Sequence, residues 1–225
     1  MHFHSSPQPP LDIVHVDEAL VVAVKPAGLP CVPARAAHLN DCLSQQLQSA
    51  WPDALIVHRL DMATSGLVVM ARGKQAQRLL SIAFADRAVH KRYVAIVHGR
   101  VELPESGVAE IDLPLLADWP NRPKQKVDRA DGKPSLTRYR VLMHDGANDT
   151  TRLSLEPVTG RSHQLRVHLQ AIGHPIVGDA LYAIDASLEA GREGPAKRLM
   201  LHASELSFAH PLTGAAMAFS RPPPF

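Results

Sequence analysis

Hydrophobic and polar positions alternate through much of this chain, and helix signals are fewer but clear. LDIVHV and ALVVAVKP, within residues 11–26, are two strand signals paired around a turn at Asp17-Glu18. Residues 66–70, GLVVM, form the short apolar run of a buried strand. In KRYVAIVHG, residues 91–99, the alternation predicts Tyr93, Ala95 and Val97 on one face and Val94, Ile96 and His98 on the other. SLTRYRVLM and TRLSLEPV are separated by HDGAND, a connector made wholly of turn chemistry, and read as a hairpin. Between Lys74 and Arg87, Ala76, Leu79, Leu80, Ala83 and Phe84 recur at helical spacing with charges opposite. A second helix is expected after Ser162 as N-cap, ending at Gly173 because Pro175 blocks continuation. Strands outnumber helices and mostly come as neighbours. The pattern therefore predicts an α+β fold with a large mixed or antiparallel sheet, flanked by helices and loops.

The first ten residues are polar and proline-rich and read as a flexible tail, and RPPPF at the other end lacks the amide donors a central strand needs. No linker, repeat or low-complexity block divides residues 11–225, so one domain is expected. Hydrophobic content of 45% with 20% charged residues is ordinary for a globular chain and excludes wholesale disorder. Cys31 and Cys42 have no metal-type or disulfide-framework spacing. No secretory leader or membrane-length apolar run is present, and a cytoplasmic protein without a membrane partner is expected.

A net charge of +2 says little, but its distribution is uneven. From Asn121 to Lys133, Arg122, Lys124, Lys126, Arg129 and Lys133 face only Asp128 and Asp131, a local balance of +3. Such a stripe is either a solvated loop or the electrostatic footprint of a phosphate-bearing partner. The thirteen histidines include His163 and His168, five residues apart and so off a common helical face. Neither HExxH nor CxxC accompanies them, and no metal site is expected.

The segment HRLDMATSG, His58 to Gly66, places an acid just before the buried strand. Alone, Asp61 is a turn residue as readily as a reactive one. With it stand KRYVAIVHG, the string GRSHQLRVHLQAIGHPIVGD from Gly160, and the opening ALVVAVKPAGLPCVP with Lys25-Pro26. Together these resemble the ribosomal large subunit pseudouridine synthase A (RluA) family, over essentially residues 12–219. DLPLLADWPNRPKQKV, Asp112 to Val127, resembles the subgroup acting on both 23S rRNA and tRNA.

The resemblance implies an RNA-binding cleft at the centre of the sheet and a catalytic domain over residues 11–225. It also implies no preceding S4-type domain, a monomer, and no metal or nucleotide cofactor. It makes Asp61 the catalytic aspartate, Tyr93 the tyrosine that stacks on the base, and Arg166 the arginine that pairs with the aspartate. Arg59 matches the arginine that fills the stack once the target nucleotide has left; an ordinary phosphate contact is its alternative. His58, Arg161 and His163 are further RNA-binding candidates, with His58 also suited to packing beneath the loop. Arg122, Lys124, Lys126 and Arg129 are expected to grip the backbone of a 23S rRNA hairpin or a tRNA anticodon stem-loop. Trp119 is either a base-stacking ring or a loop anchor.

The chemistry asks for these groups. Pseudouridine forms when the bond from ribose C1′ to N1 of uracil is broken and remade to C5, without net loss of atoms or electrons. A carboxylate nucleophile or base is needed, in a site that holds the detached base while it turns. Attack at the base, attack at C1′ and removal of the C2′ proton all use the same aspartate. A neighbouring guanidinium favours an ionised carboxylate and clamps it in two places. The base must first leave its stack, at a cost of a few kcal/mol. Three alternatives stand beside this reading: the same chemistry on rRNA or tRNA alone, a non-catalytic RNA-binding relative, and a hydrolase using His58, Asp61 and Ser65. The last lacks a GxSxG elbow.

Overall fold

The alternating stretches assemble into one mixed sheet of ten strands in a computed structural model that describes residues 11–33, 41–102, 104–105, 107–183 and 198–225. The tail expected over residues 1–10 lies outside the described residues. In chain order the strands are β1 (Asp12–Val16), β2 (Leu20–Lys25), β3 (Ala54–Ile56), β4 (Ser65–Arg72), β5 (His90–His98), β6 (Ala109–Asp112), β7 (Leu115–Ala117), β8 (Gln125–Val127), β9 (Leu136–Asp145), β10 (Thr150–Pro157), β11 (Leu201–Ala209) and β12 (Ala216–Ser220). The helices are α1 (Leu43–Ala50), α2 (Gly73–Ala85) and α3 (Gln164–Ala171). The main sheet runs β1-β2-β4-β11-β5-β10-β9-β6, with β3 added to β4 and β12 to β11, while β7 and β8 form a separate small hairpin. The expected α+β class with a mixed sheet is the architecture observed.

Both expected hairpins are present. At the first, Asp17 Oδ1 accepts the backbone N–H groups of Ala19 and Leu20, closing the turn between β1 and β2. At the second, β9 and β10 pair antiparallel from Thr150↔Asp145 to Pro157↔Thr137. The run GLVVM is apolar on every residue because β4 is covered on both faces. Leu67 and Val69 pack with Ala76 and Leu80 of α2 on one side. Val68 and Met70 pack with Leu43 and Leu47 of α1 on the other. A third cluster joins Leu165 and Leu169 of α3 to Ala95, Val97, Leu153 and Leu155 of β5 and β10.

Two sequence expectations are corrected. Leu79 does not share the buried stripe of α2: it is 36% exposed, because the face the helix turns to the sheet is centred on Ala76 and Leu80, each 1% exposed. The N-cap of α3 is His163, in the left-handed conformation at φ 53°, rather than Ser162. The Gln164 side chain explains the shift, since its Oε1 accepts from Thr159 Oγ1 and from the Arg161 N–H and keeps the preceding turn going.

The two halves of the sheet meet where β4 and β11 run parallel, at His202↔Ser65 and Ala203↔Gly66. Every other strand pair is antiparallel. The loop that leads into β4 therefore emerges at the middle of the sheet.

Candidate active site

Gly66 makes that joint possible. Its φ is +120°, and a Cβ there would lie 2.3 Å from the carbonyl oxygen of Ala203. Only glycine admits so close an approach of two backbones. The TSG of the motif is thus what seats residues 58–64 at the sheet centre.

The backbone on both sides of Asp61 is bolted down. Cys31 Sγ brackets Leu60, contacting its N–H and its carbonyl at 3.3 Å each. The carbonyl of Met62 accepts from the Gly28 N–H at 2.8 Å and from Lys25 Nζ at 3.0 Å. Lys25 is fully buried and also donates to the carbonyls of Pro26 and Leu29. Burial pulls its ammonium down to about 8, opposed by the attraction of nearby groups including Asp61. Chain entry into the loop is held by His58, whose Nε2 accepts the Val69 N–H and whose ring stacks on Phe84 at 4.5 Å. Burial, reinforced by Lys91, drops His58 to about 3, so its ring is neutral.

Of these, Lys25 appeared in the sequence only as half of a Lys-Pro pair, and Cys31 carried no signal. Sequence reasoning missed both as supports of the loop, because the loop atoms they hold are backbone atoms 29 and 37 residues away.

Asp61 keeps a side chain 30% exposed, facing a cleft of about 940 Å³. His58, Arg59, Asp61, Tyr93, Arg161, His163 and Arg166 all line this one cleft. The closest cation is Arg166, with Nη1 3.6 Å from Asp61 Oδ2. Its stronger bond is elsewhere: Nε and Nη2 hold the two oxygens of Asp179 at 2.8 and 2.6 Å, a buried bidentate pair. Asp179 was not singled out in the sequence; the signal available was only its place in GHPIVGD.

His163 Nε2 stands 3.9 Å from the same Oδ2, and its ring is nearly enclosed. Both neighbours therefore approach Oδ2. Tyr93, on β5, has its phenol pushed up, first by burial and then by Asp61, so it stays protonated at neutral pH. Arg59 is exposed and has no hydrogen bond or ion pair among the described residues. Arg161 reaches the Pro134 carbonyl at 3.3 Å. Lys91 also lines the cleft, and burial lowers its ammonium.

The basic stripe does not enter the cleft. Arg122, Lys124, Lys126 and Arg129 ride on the β7–β8 hairpin or just beyond it. Arg122 lies 3.3 Å over the ring of Trp119, and Lys126 pairs with Asp128 at 3.1 Å. Trp119 remains 63% exposed, so it is not buried as a loop anchor. The hairpin attaches to the body through Tyr182, whose hydroxyl accepts the Gln125 N–H at 2.8 Å.

The hydrolase alternative loses its footing here. Ser65 is buried and bonded to His202 Nδ1 at 2.8 Å, and His58 already accepts from Val69, so no hydrolytic Ser-His pair faces the cleft. His168 is fully buried, joining Thr137 Oγ1 and the Leu113 carbonyl at 2.9 Å each. Among the described residues no group of three His, Cys, Asp or Glu side chains is placed to hold a metal.

What remains is an open carboxylate beside a guanidinium, with an aromatic ring and an unpaired arginine around it. A family model described as RNA pseudouridylate synthase matches residues 19–171. The chain belongs to this family.

Its membership extends to the RluA type. The chain is 49% identical over 214 residues to the dual-specificity RNA pseudouridine synthase RluA of Vibrio parahaemolyticus, covering 94% of this chain and 82% of the relative. It is 46% identical to that of Escherichia coli, covering 100% of this chain and 99% of the relative. Among solved structures it resembles human RNA pseudouridylate synthase domain containing 1, with a TM-score of 0.78 and 30% identity over 98% of this chain and 87% of that one. Human RNA pseudouridylate synthase domain containing 4 follows at 0.71 and 26%, over 95% and 88%. Members of the family are isomerases acting on RNA, and this chain is one of them.

Proposed function

We propose that the chain isomerises specific uridines in 23S rRNA and in the anticodon stem-loop of tRNA, with Asp61 as the reacting carboxylate. The observation that carries the assignment is a half-exposed carboxylate in the cleft, Asp61, with Arg166 at 3.6 Å and His163 at 3.9 Å from its Oδ2. The target nucleotide flips out of its stack into the cleft, and Arg59 takes the vacated place with its planar guanidinium. Tyr93 stacks on the uracil, and its hydroxyl relays the proton that C5 loses once the new bond to C1′ has formed, while N1 ends with a proton. Arg166, oriented by Asp179, stands against the Asp61 carboxylate and holds its rotamer. The free cations of the hairpin and of Arg161 hold the RNA backbone, and His58 acts beneath the loop.

The two-substrate reading is supported by relatives whose names call them dual-specificity. We take residues 11–225 as one catalytic domain working as a monomer in the cytoplasm.

The test is direct. Purified protein is incubated with uridine-labelled 23S fragments and tRNA transcripts, without metal or nucleotide, and pseudouridine is mapped. Product in both RNAs, absent with Asp61→Asn, is the expected outcome. Product in one RNA alone restricts the substrate, and product in neither overturns the proposal.

A further inference from the structure

Tyr182 is 3% exposed, and the family strings quoted above stop short of it. Its hydroxyl sits between two partners: it accepts the backbone N–H of Gln125 at 2.8 Å, and it lies 2.7 Å from Nδ1 of His163. The rings of Tyr182 and His163 meet edge to face at 5.6 Å, so the pair is packed as well as bonded. The phenol is oriented from a third side, because Asp179 Oδ1 accepts the N–H groups of Leu181 and Tyr182 while the same carboxylate grips Arg166.

The direction of the Tyr182–His163 bond follows from counting protons. The hydroxyl already accepts from Gln125, and His163 Nδ1 is the remaining acceptor beside its own hydrogen among the described residues. If His163 donated instead, that hydrogen would be buried without an acceptor. The lone pair of His163 Nε2 would then face the Asp61 carboxylate at 3.9 Å, a repulsive arrangement. With Tyr182 donating, Nδ1 is the acceptor and Nε2 carries the hydrogen, on the side of Asp61. Burial, with Arg166, keeps the imidazole neutral against the pull of Asp61 and Asp179. Burial likewise pushes the Tyr182 phenol up to about 12, so it remains a donor.

We propose that Tyr182 is a positioning residue for the pseudouridine synthase reaction, which locks His163 in the Nε2–H tautomer so that it presents a neutral donor to Oδ2 of Asp61, and which ties this contact to the β7–β8 hairpin. The inference rests on the reading of Asp61 as the reacting carboxylate. Such contacts are commonly long before substrate binds and shorten in the complex. Arg166 supplies charge to Oδ2 and His163 supplies a directed N–H, so Oδ1 is the oxygen left for substrate. Because Gln125 belongs to β8, the basic hairpin and the reacting carboxylate are joined by two hydrogen bonds and one imidazole.

Two measurements test this. Long-range 1H–15N spectra of histidine-labelled full-length protein report the tautomer directly, without RNA. Wild type is expected to show His163 protonated at Nε2, and Tyr182→Phe to populate Nδ1–H. A wild-type Nδ1–H tautomer overturns the proposal. The second measurement is a kinetic cycle. Tyr182→Phe is expected to lower kcat about tenfold, the loss of one hydrogen bond, with KM for RNA unchanged. Its acid limb should move upward, since Nδ1 is then free to take a proton in the field of Asp61, Arg166 and Asp179. His163→Gln carries a non-titrating amide, and in that background Tyr182→Phe is expected to have no further effect. An undiminished tenfold loss there would mean that Tyr182 merely supports the hairpin, and the proposal falls. If wild type makes no pseudouridine, the functional reading fails, and the spectra still decide the relay.

Discussion

Arg166 reaches Asp61 with one nitrogen only, Nη1 at 3.6 Å from Oδ2, while its other two nitrogens are committed to Asp179. The planar fork thus sits between two carboxylates, one buried and structural, one facing the cleft. A lysine has no geometry to serve both. Arg166→Lys is expected to lower kcat at least about a hundredfold and to destabilise the fold by about 3 kcal/mol, since Asp179 loses its bidentate partner in a buried place. Single-turnover assays and urea melts check the two effects separately.

Tyr93→Phe keeps the ring that stacks on uracil and removes the hydroxyl. RNA affinity should be unchanged, and isomerisation should slow by about 10²–10⁴-fold, the range of a lost general acid or base. Filter binding and product formation on the same RNA measure both. Near-normal turnover would remove Tyr93 from the reaction.

Gly66→Ala places a methyl group against the backbone of Ala203 at a left-handed φ. The strands must part at the joint between the sheet halves, at an expected cost of about 2–5 kcal/mol. Denaturant midpoints give the number, and an unchanged midpoint would refute the close-approach argument.

His58 links stability to pH. Its folded value of about 3 lies below the usual 6.5, so the unfolded chain binds the proton more readily. The contribution of neutral, half-buried His58 is therefore present above 6.5 and is lost as pH falls toward 3. At pH 5 the loss should be roughly 1–2 kcal/mol. His58→Gln retains an acceptor for the Val69 N–H without titrating, and its melts should show a shallower acid limb.

The basic hairpin should act through salt. Arg122 is stacked on Trp119 and Lys126 is paired with Asp128, so Lys124 and Arg129 are the more available phosphate contacts. Replacing both by alanine should reduce the slope of log K against log salt by about 1–2, from about 0.7–0.9 per contact. Lys126→Ala alone should change it less. Equal effects from all three would show that the Asp128 pair opens when RNA binds.

Much of this was legible in the chain itself. Alternation in KRYVAIVHG and the turn chemistry of HDGAND announce β5 and the β9–β10 hairpin, because side-chain period and turn geometry are local properties. The family strings point to Asp61, Tyr93, Arg166 and Arg59, and the structure brings all four to one cleft. The neighbours of those residues were another matter. Arg166 reads as a partner of Asp61, which it is at 3.6 Å, but its shorter bonds go to Asp179, thirteen residues on. His163 reads in the sequence as an RNA contact, and nothing there tells that it also stands between Asp61 and Tyr182. The basic stripe looked uniform, yet two of its cations are already engaged. Which residues carry the chemistry is written in residue type and spacing. What stands against Oδ2 of Asp61, and what holds those neighbours there, depends on bonds among loops far apart in sequence. Only the assembled sheet, with β4 laid against β11 across Gly66, brings those loops within reach.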